Sequence, residues 1–228
     1  MPETINSPPA YLDGDTLDAL RRKQRSEKIL VNEGIPVNPD LPPVTVGKDF
    51  IPRGIDEVAM RTLCVLLTAI KADQMEQPMV LRVVRKYGLA GHFSSAEKEF
   101  IREIEPAMED RIRFLQRYES AWVLLWSLGY VDQLKFPSHA CDAAYAVACM
   151  RDRNTQNFIS AATLRPLDQI LDQADLIFRY RWPLRDRALI KRIKAAGLSP
   201  GVVDERYRAL NWLIRASDQQ WDHIAKDA

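Results

Sequence analysis

The stretch "ESAWVLLWSL", residues 119–128, constrains this chain more than any other. Read as a helix it is apolar nearly all round from 121 to 128, and such a helix has to lie at the centre of a fold with other helices around it. Yet it opens on a glutamate. On a straight helix over 107–130, ended by Gly129, Ile112, Leu115, Trp122, Val123, Trp126 and Tyr130 all fall within about 60° of Glu119 at ~100° per residue. Arg117 falls on the opposite side, with Asp110, Arg113, Leu124 and Leu128, so Arg117 and Glu119 are not each other's partners. A lone carboxylate inside an apolar stripe must be paired, hydrogen-bonded or protonated. The rest of the chain therefore has to supply a cation.

Two candidates stand out. On a helix from Ser199 and Pro200, Val202, Val203, Ala209, Leu210 and Leu213 surround Arg206, while Asp204, Arg208, Asn211 and Arg215 take the other face. On the helix opened by Pro166, Arg181 shares a face with Leu167, Leu171, Ala174 and Phe178. Glu119 is expected to pair with Arg206, Arg181 or both, because a planar guanidinium can grip a carboxylate through two parallel hydrogen bonds. Such a network can simply join helices, or it can hold an anionic ligand. A second pattern is the ladder Asp168, Asp172, Asp175 and Arg179, at i, i+4, i+7 and i+11. It reads as a solvated acidic face with an i,i+4 ion pair, Asp175–Arg179. Joined by oxygens from a second helix, it could hold Mg²⁺ or Mn²⁺.

Around these features the chain reads as mainly α, a single compact multi-helix domain over 11–228 behind a loose tail at 1–10. Glycine is scarce, at nine of 228 residues, and 3.6-residue periodicity dominates. A first helix spans 15–33 and stops at Gly34. Residues 34–53 carry five prolines and form a connector strapped across the domain surface, with short β pieces left open in 35–52. "IDEVAMRTLCVLLTAIKAD" and "PMVLRVVRKYG" follow as helices, and Ser94 with Glu97 forms a capping box. Ser138 is expected to cap a helix through Met150. Pro183 breaks or kinks the helix opened by Pro166, and its continuation ends at Gly197. A last turn carries "WDHI".

Composition narrows the function classes. Lys+Arg is 32 and Asp+Glu 31, so no charge argument favours nucleic acid or an anionic membrane. The N-terminus has neither a basic start nor an apolar core, so no secretory signal is expected. The longest apolar run, "AWVLLWSLGYV", is too short to span a bilayer. Three cysteines fit reduced thiols in the cytoplasm. His92, His139 and His223 are scattered, and no HExxH, CxxC, P-loop, GxGxxG or GxSxG is present, so no metal or cofactor is expected. The tryptophans read as core residues, although Trp182, Trp212 and Trp221 could line a cleft.

"RYESAWVLLWSLGYVDQLKFP", "LRPLDQILDQADLIFRYRW", "GVVDERYRALNWL" and "WDHIAKDA" occur in this order. Together, with the earlier "GIPVNPDLP", they resemble the bacterial domain of unknown function 4272 family from about residue 22 onward. The resemblance implies a mostly helical fold and no established activity. It carries over Arg117, Tyr118, Glu119 and Trp126; Arg165, Asp172, Asp175, Arg179 and Trp182; and Glu205, Arg206, Asn211, Trp212, Trp221 and Asp222. Gln116 stands where the family often has tryptophan, and Lys226, Asp227 and Ala228 replace its usual hydroxyl-bearing ending. Two function classes follow. One is a cytoplasmic helical binding protein with a protein or small-ligand partner. The other is an enzyme, perhaps hydrolytic, in which Glu119, Glu205 and Asp172/Asp175 act with Arg206 or Arg179 on an oxyanion or phosphate.

Overall fold

The computed structural model describes residues 14–47, 50–214 and 220–224. The expected tail at 1–10, Arg215 and the 226–228 ending lie outside the described residues. The helices are α1 (Gly14–Asn32), α2 (Ile55–Ala72), α3 (Gln77–Tyr87), α4 (Ser95–Arg102), α5 (Met108–Leu115), α6 (Arg117–Ser127), α7 (Ala143–Arg151), α8 (Thr155–Ser160), α9 (Leu167–Leu184), α10 (Ile190–Ala196) and α11 (Pro200–Leu213). No strand occurs among the described residues, so the possible β pieces of the strap are absent there. The protein is mainly α.

Hydrophobic pattern decides the order of packing. In α6 every residue but Trp122 is buried, and in α2 the whole run from Arg61 to Ala69 is. These two helices pack on each other at the centre. From α6 the packing runs outward to α11, then α9, then α1, while α3, α4, α5, α7 and α8 gather around α2 and α6. Each fully buried Leu or Val contributes about 1.5–3 kcal/mol. Leu63, Leu66, Leu67, Leu124 and Leu125 are all sealed from water.

Local signals explain most helix ends. Ser94 accepts from the Glu97 amide and Glu97 from the Ser94 amide, completing the capping box. Gly34, Gly88 and Gly197 take positive φ beyond their helices, where a Cβ is strained. Gly129 does the same after α6, and a Cβ there would also lie 3.2 Å from the Thr163 carbonyl oxygen.

Three expectations about helix limits are corrected. The long helix over 107–130 is two helices, α5 and α6, separated at Gln116. There the Glu119 amide bonds the Gln116 carbonyl, a tight i→i+3 closure. A straight wheel therefore fails across the break: Ile112 is 54% exposed, whereas Arg117 turns inward and is buried. Ser138 caps no helix. α7 starts at Ala143 under Asp142, whose carboxylate accepts from the Tyr145 amide at 2.9 Å, and Ser138 pairs instead with the His139 ring. α9 runs one residue past Pro183, because a proline in the last turn removes little of the ladder; a 3₁₀ turn, Arg187–Leu189, then leads into α10.

The aspartate ladder is not one continuous solvated face, because Asp175 is drawn into the interior. Asp175 is 0% exposed and receives Arg179 through Nε at 2.8 Å and Nη2 at 2.9 Å. Its Oδ1 also accepts from the Val44 amide at 3.0 Å, while Arg179 donates to the Pro42 carbonyl. Arg22 donates to both the Val44 carbonyl and Asp172, and Arg25 joins Asp172 at 2.7 Å. Asp168 stays exposed. The proline-rich strap cannot pair its own backbone as a helix would, and α1 and α9 supply the missing partners.

Candidate functional site

Most of the inward charges named from the sequence fall into three separate clusters. In the first, Glu119, only 5% exposed, accepts from Arg206 Nε at 3.2 Å through one oxygen and from the Cys141 amide through the other. Arg206 Nη1 donates to the Lys135 carbonyl at 2.6 Å. Of the two expected partners, Arg206 is the one found. Arg181 turns away to Asp204 at 2.8 Å and lies over the Tyr207 ring. Burial and the neighbouring Glu119 push the Cys141 thiol well above its usual range, so it is held as a neutral thiol. Burial, with Asp73 nearby, does the same to the Tyr118 hydroxyl.

The second cluster centres on Glu205. Arg117 Nη1 reaches its two oxygens at 2.6 and 2.9 Å, and Ser120 Oγ donates to Oε2 at 2.6 Å. Arg208 lies 3.7 Å away, and burial together with Arg117 pushes this guanidinium down to about 10. The third cluster is Asp175–Arg179 with Asp172 under the strap. Trp182 lies elsewhere, half-buried beside Gly34 and Arg192. Asn211 is half-buried on α11 and joins none of the three. Arg165 staples the end of α6, donating to the carbonyls of Trp126, Val131 and Asp132. The site residues named from the sequence therefore do not converge on one place.

Trp212 and Trp221 do converge, on a cleft of about 620 Å³. Four segments build it: the start of α2, the turn before α4, the end of α11 and the 220–224 turn. The indoles meet edge to face at 5.7 Å. Arg53 stacks on Trp212 at 4.0 Å and donates to its carbonyl at 2.7 Å. Arg61 lies 5.3 Å from the Trp221 ring and pairs with buried Glu97. Asp222 fixes the terminal turn to α4, accepting from Ser94 Oγ at 2.6 Å and the Ala96 amide at 3.1 Å. Arg208 holds the same turn from behind through the Ile224 carbonyl at 2.8 Å.

Three sealed polar atoms behind this wall have no hydrogen-bond partner: Arg61 Nε, Glu97 Oε1 and Trp221 Nε1. Each unmet group costs about 1–3 kcal/mol.

The family model described as Domain of unknown function (DUF4272) matches residues 22–224. The chain belongs to the DUF4272 family. No curated protein and no solved structure matches it. The DUF4272 match spans both the ionic clusters and all four segments of the cleft. Among the described residues no group of three or more His, Cys, Asp or Glu is placed to hold a metal ion. None of their helices is long and apolar enough to cross a membrane.

Reasoning from sequence missed the Arg53, Arg61 and Glu97 part of this DUF4272 cleft. Arg61 carried a usable signal, a charge inside the apolar run of α2, which is the same signal that located Arg206. Arg53 carried none, because its place depends on where the strap ends.

Proposed function

We propose that this chain is a binding protein whose ligand occupies the Trp212–Trp221 cleft. One observation carries the reading: an open cavity of ligand size, assembled from four distant segments and floored by two indoles. The carboxylates that a hydrolytic mechanism would use are otherwise engaged. Glu205 and Asp175 are buried against arginines and Asp172 is bridged by two. Three free thiols support a reducing setting such as the cytoplasm. Purification from the native cell followed by native mass spectrometry should find a retained molecule or protein segment. His92, exposed at the cleft, should resist carbethoxylation while the ligand is bound and react once it is removed, with exposed His139 as the internal control. Equal reactivity of His92 in both states refutes the reading.

A carboxylate-centred enzyme is the second reading, favoured by one feature. Glu119 borders a cavity of about 370 Å³ beside Ser138 and His139, which lie 2.8 Å apart. A panel of ester and amide substrates tests it, and turnover unchanged in Glu119→Gln excludes that role.

A further inference from the structure

We propose that the groove walled by the ends of α1 and α9 and by α10 docks an acidic peptide segment of a partner protein, with one apolar side chain in the groove and carboxylates on the cations around it. The sequence from 181 to 194 sets the charge. Arg181, Arg185, Arg187, Lys191, Arg192 and Lys194 are six cations, and Asp186 is the single carboxylate among them. Asp186 turns to the Ala188 amide at 2.9 Å. Asp204 of α11 reaches in from outside, bonded to Arg181 and also attracting Arg185. It does not offset them both: partial burial and the like charge of Arg181 hold the Arg185 guanidinium below its ordinary range. Among the described residues Arg185, Arg187, Lys191, Arg192 and Lys194 make no salt bridge, and all are exposed. Nearby on α1, exposed Lys28 offsets Glu33, whose carboxylate accepts from the Tyr180 hydroxyl. Six cations against the carboxylates of Asp186 and Asp204 leave four charges in excess in one patch, in a protein whose formal net charge is +1. Cations suit a helix C-terminus, which accounts for Arg185 after α9 and Lys194 in α10 but leaves Arg187, Lys191 and Arg192.

A second observation is independent of charge. Val31, Ile35, Val37, Trp182 and Leu189 line a groove of about 400 Å³, and Arg192 is the one charged residue in its wall. Val31 stands 65% exposed there and Trp182 is half-buried, so apolar surface is left open beside the cations. The other four unpaired cations lie close along the chain to lining positions: Arg185 after Trp182, Arg187 before Leu189, and Lys191 and Lys194 on either side of Arg192. A concave aliphatic lining selects among anionic partners. Nucleic-acid bases need open aromatic faces to stack on, and this groove has one half-buried indole. A bilayer takes up a protruding apolar face, whereas this apolar wall recedes. A peptide meets both demands, with an aliphatic side chain for the groove and Asp or Glu on either side for the arginines and lysines.

Fluorescence anisotropy on the full chain tests this with labelled short peptides: a leucine flanked by glutamates, the same peptide with serine for leucine, and a version with lysines for glutamates. The leucine–glutamate peptide should bind saturably, and more weakly as salt rises. The serine peptide should bind about tenfold more weakly, the share of a partly buried leucine, and the lysine peptide not at all. Lys191→Glu combined with Arg192→Glu should abolish binding with the melting temperature held, because both side chains are exposed. Val31→Asp, also at an exposed position, should weaken the leucine–glutamate peptide about as much as the serine exchange does. Equal affinity for the leucine and serine peptides overturns the docking groove, since charge alone would then explain binding. Saturable binding of oligodeoxythymidylate, or co-sedimentation with vesicles of equimolar phosphatidylcholine and phosphatidylserine, where the leucine peptide fails, overturns the peptide in favour of that surface. No binding of any probe overturns the proposal outright. The Trp212–Trp221 cleft is untouched by each result, because His92 reports on it separately.

Discussion

Replacing one end of the Glu119–Arg206 pair should cost far more than its single 3.2 Å contact suggests. Both side chains are about 95% buried, so each charge left behind has little water to turn to. Arg206→Met removes the cation and strands the Glu119 carboxylate with the neutral Cys141 amide and thiol as donors, while the Lys135 carbonyl also loses its partner. Glu119→Gln keeps an oxygen for the Cys141 amide but leaves the Arg206 guanidinium uncompensated. Removing one member of a buried pair costs about 3–5 kcal/mol, with Arg206→Met expected at the upper end and Glu119→Gln at the lower. For a chain of this size that is a fall of roughly 10 °C in Tm. The double variant strands neither charge, so its loss should fall short of the sum of the singles by about 1–3 kcal/mol. Urea unfolding followed by circular dichroism on all four proteins measures the cycle. Additive losses would refute the coupling and reduce the pair to two unrelated hydrogen bonds.

Other outcomes follow from single contacts. Lys71 is buried against the carbonyls of Ile101 and Glu103 and the Gln77 amide oxygen, and burial pushes its ammonium from 10.5 down to about 8. The unfolded chain then holds more protons than the folded one between these values, so stability from this group rises with pH across that window; melts of Lys71→Met should lack that slope. Asp175→Asn should loosen the strap by weakening both the Arg179 pair and the Val44 contact, and limited proteolysis should then cut within 34–47 faster than in the parent. Cys141 is the half-buried thiol beside two buried ones, so disulfide reagents should reach it first but slowly; Glu119→Gln should speed that reaction by removing the charge that disfavours thiolate. An unchanged rate would mean that access alone controls it.

Sequence alone determined the helical class, most helix ends, the central place of 119–128 and the need for a cation at Glu119. These are local matters. Periodicity, a capping box, a glycine at positive φ and the cost of an unpaired buried charge act within one helix or on one residue. Even the choice of Arg206 was within reach, since an arginine ringed by Val203, Ala209 and Leu210 has the same problem as the glutamate. Tertiary structure decided the rest. The break at Gln116 turned Arg117 toward Glu205 and Ile112 toward solvent, because a small change in helix direction moves every later side chain to a new face. The ladder of aspartates became a clasp because the strap brought unpaired carbonyls and amides to it. The tryptophan cleft depended on four segments up to 169 positions apart, Arg53 to Asp222, meeting at one wall. No spacing along the chain encodes that meeting, because it comes from the packing of whole helices and not from the residues between them.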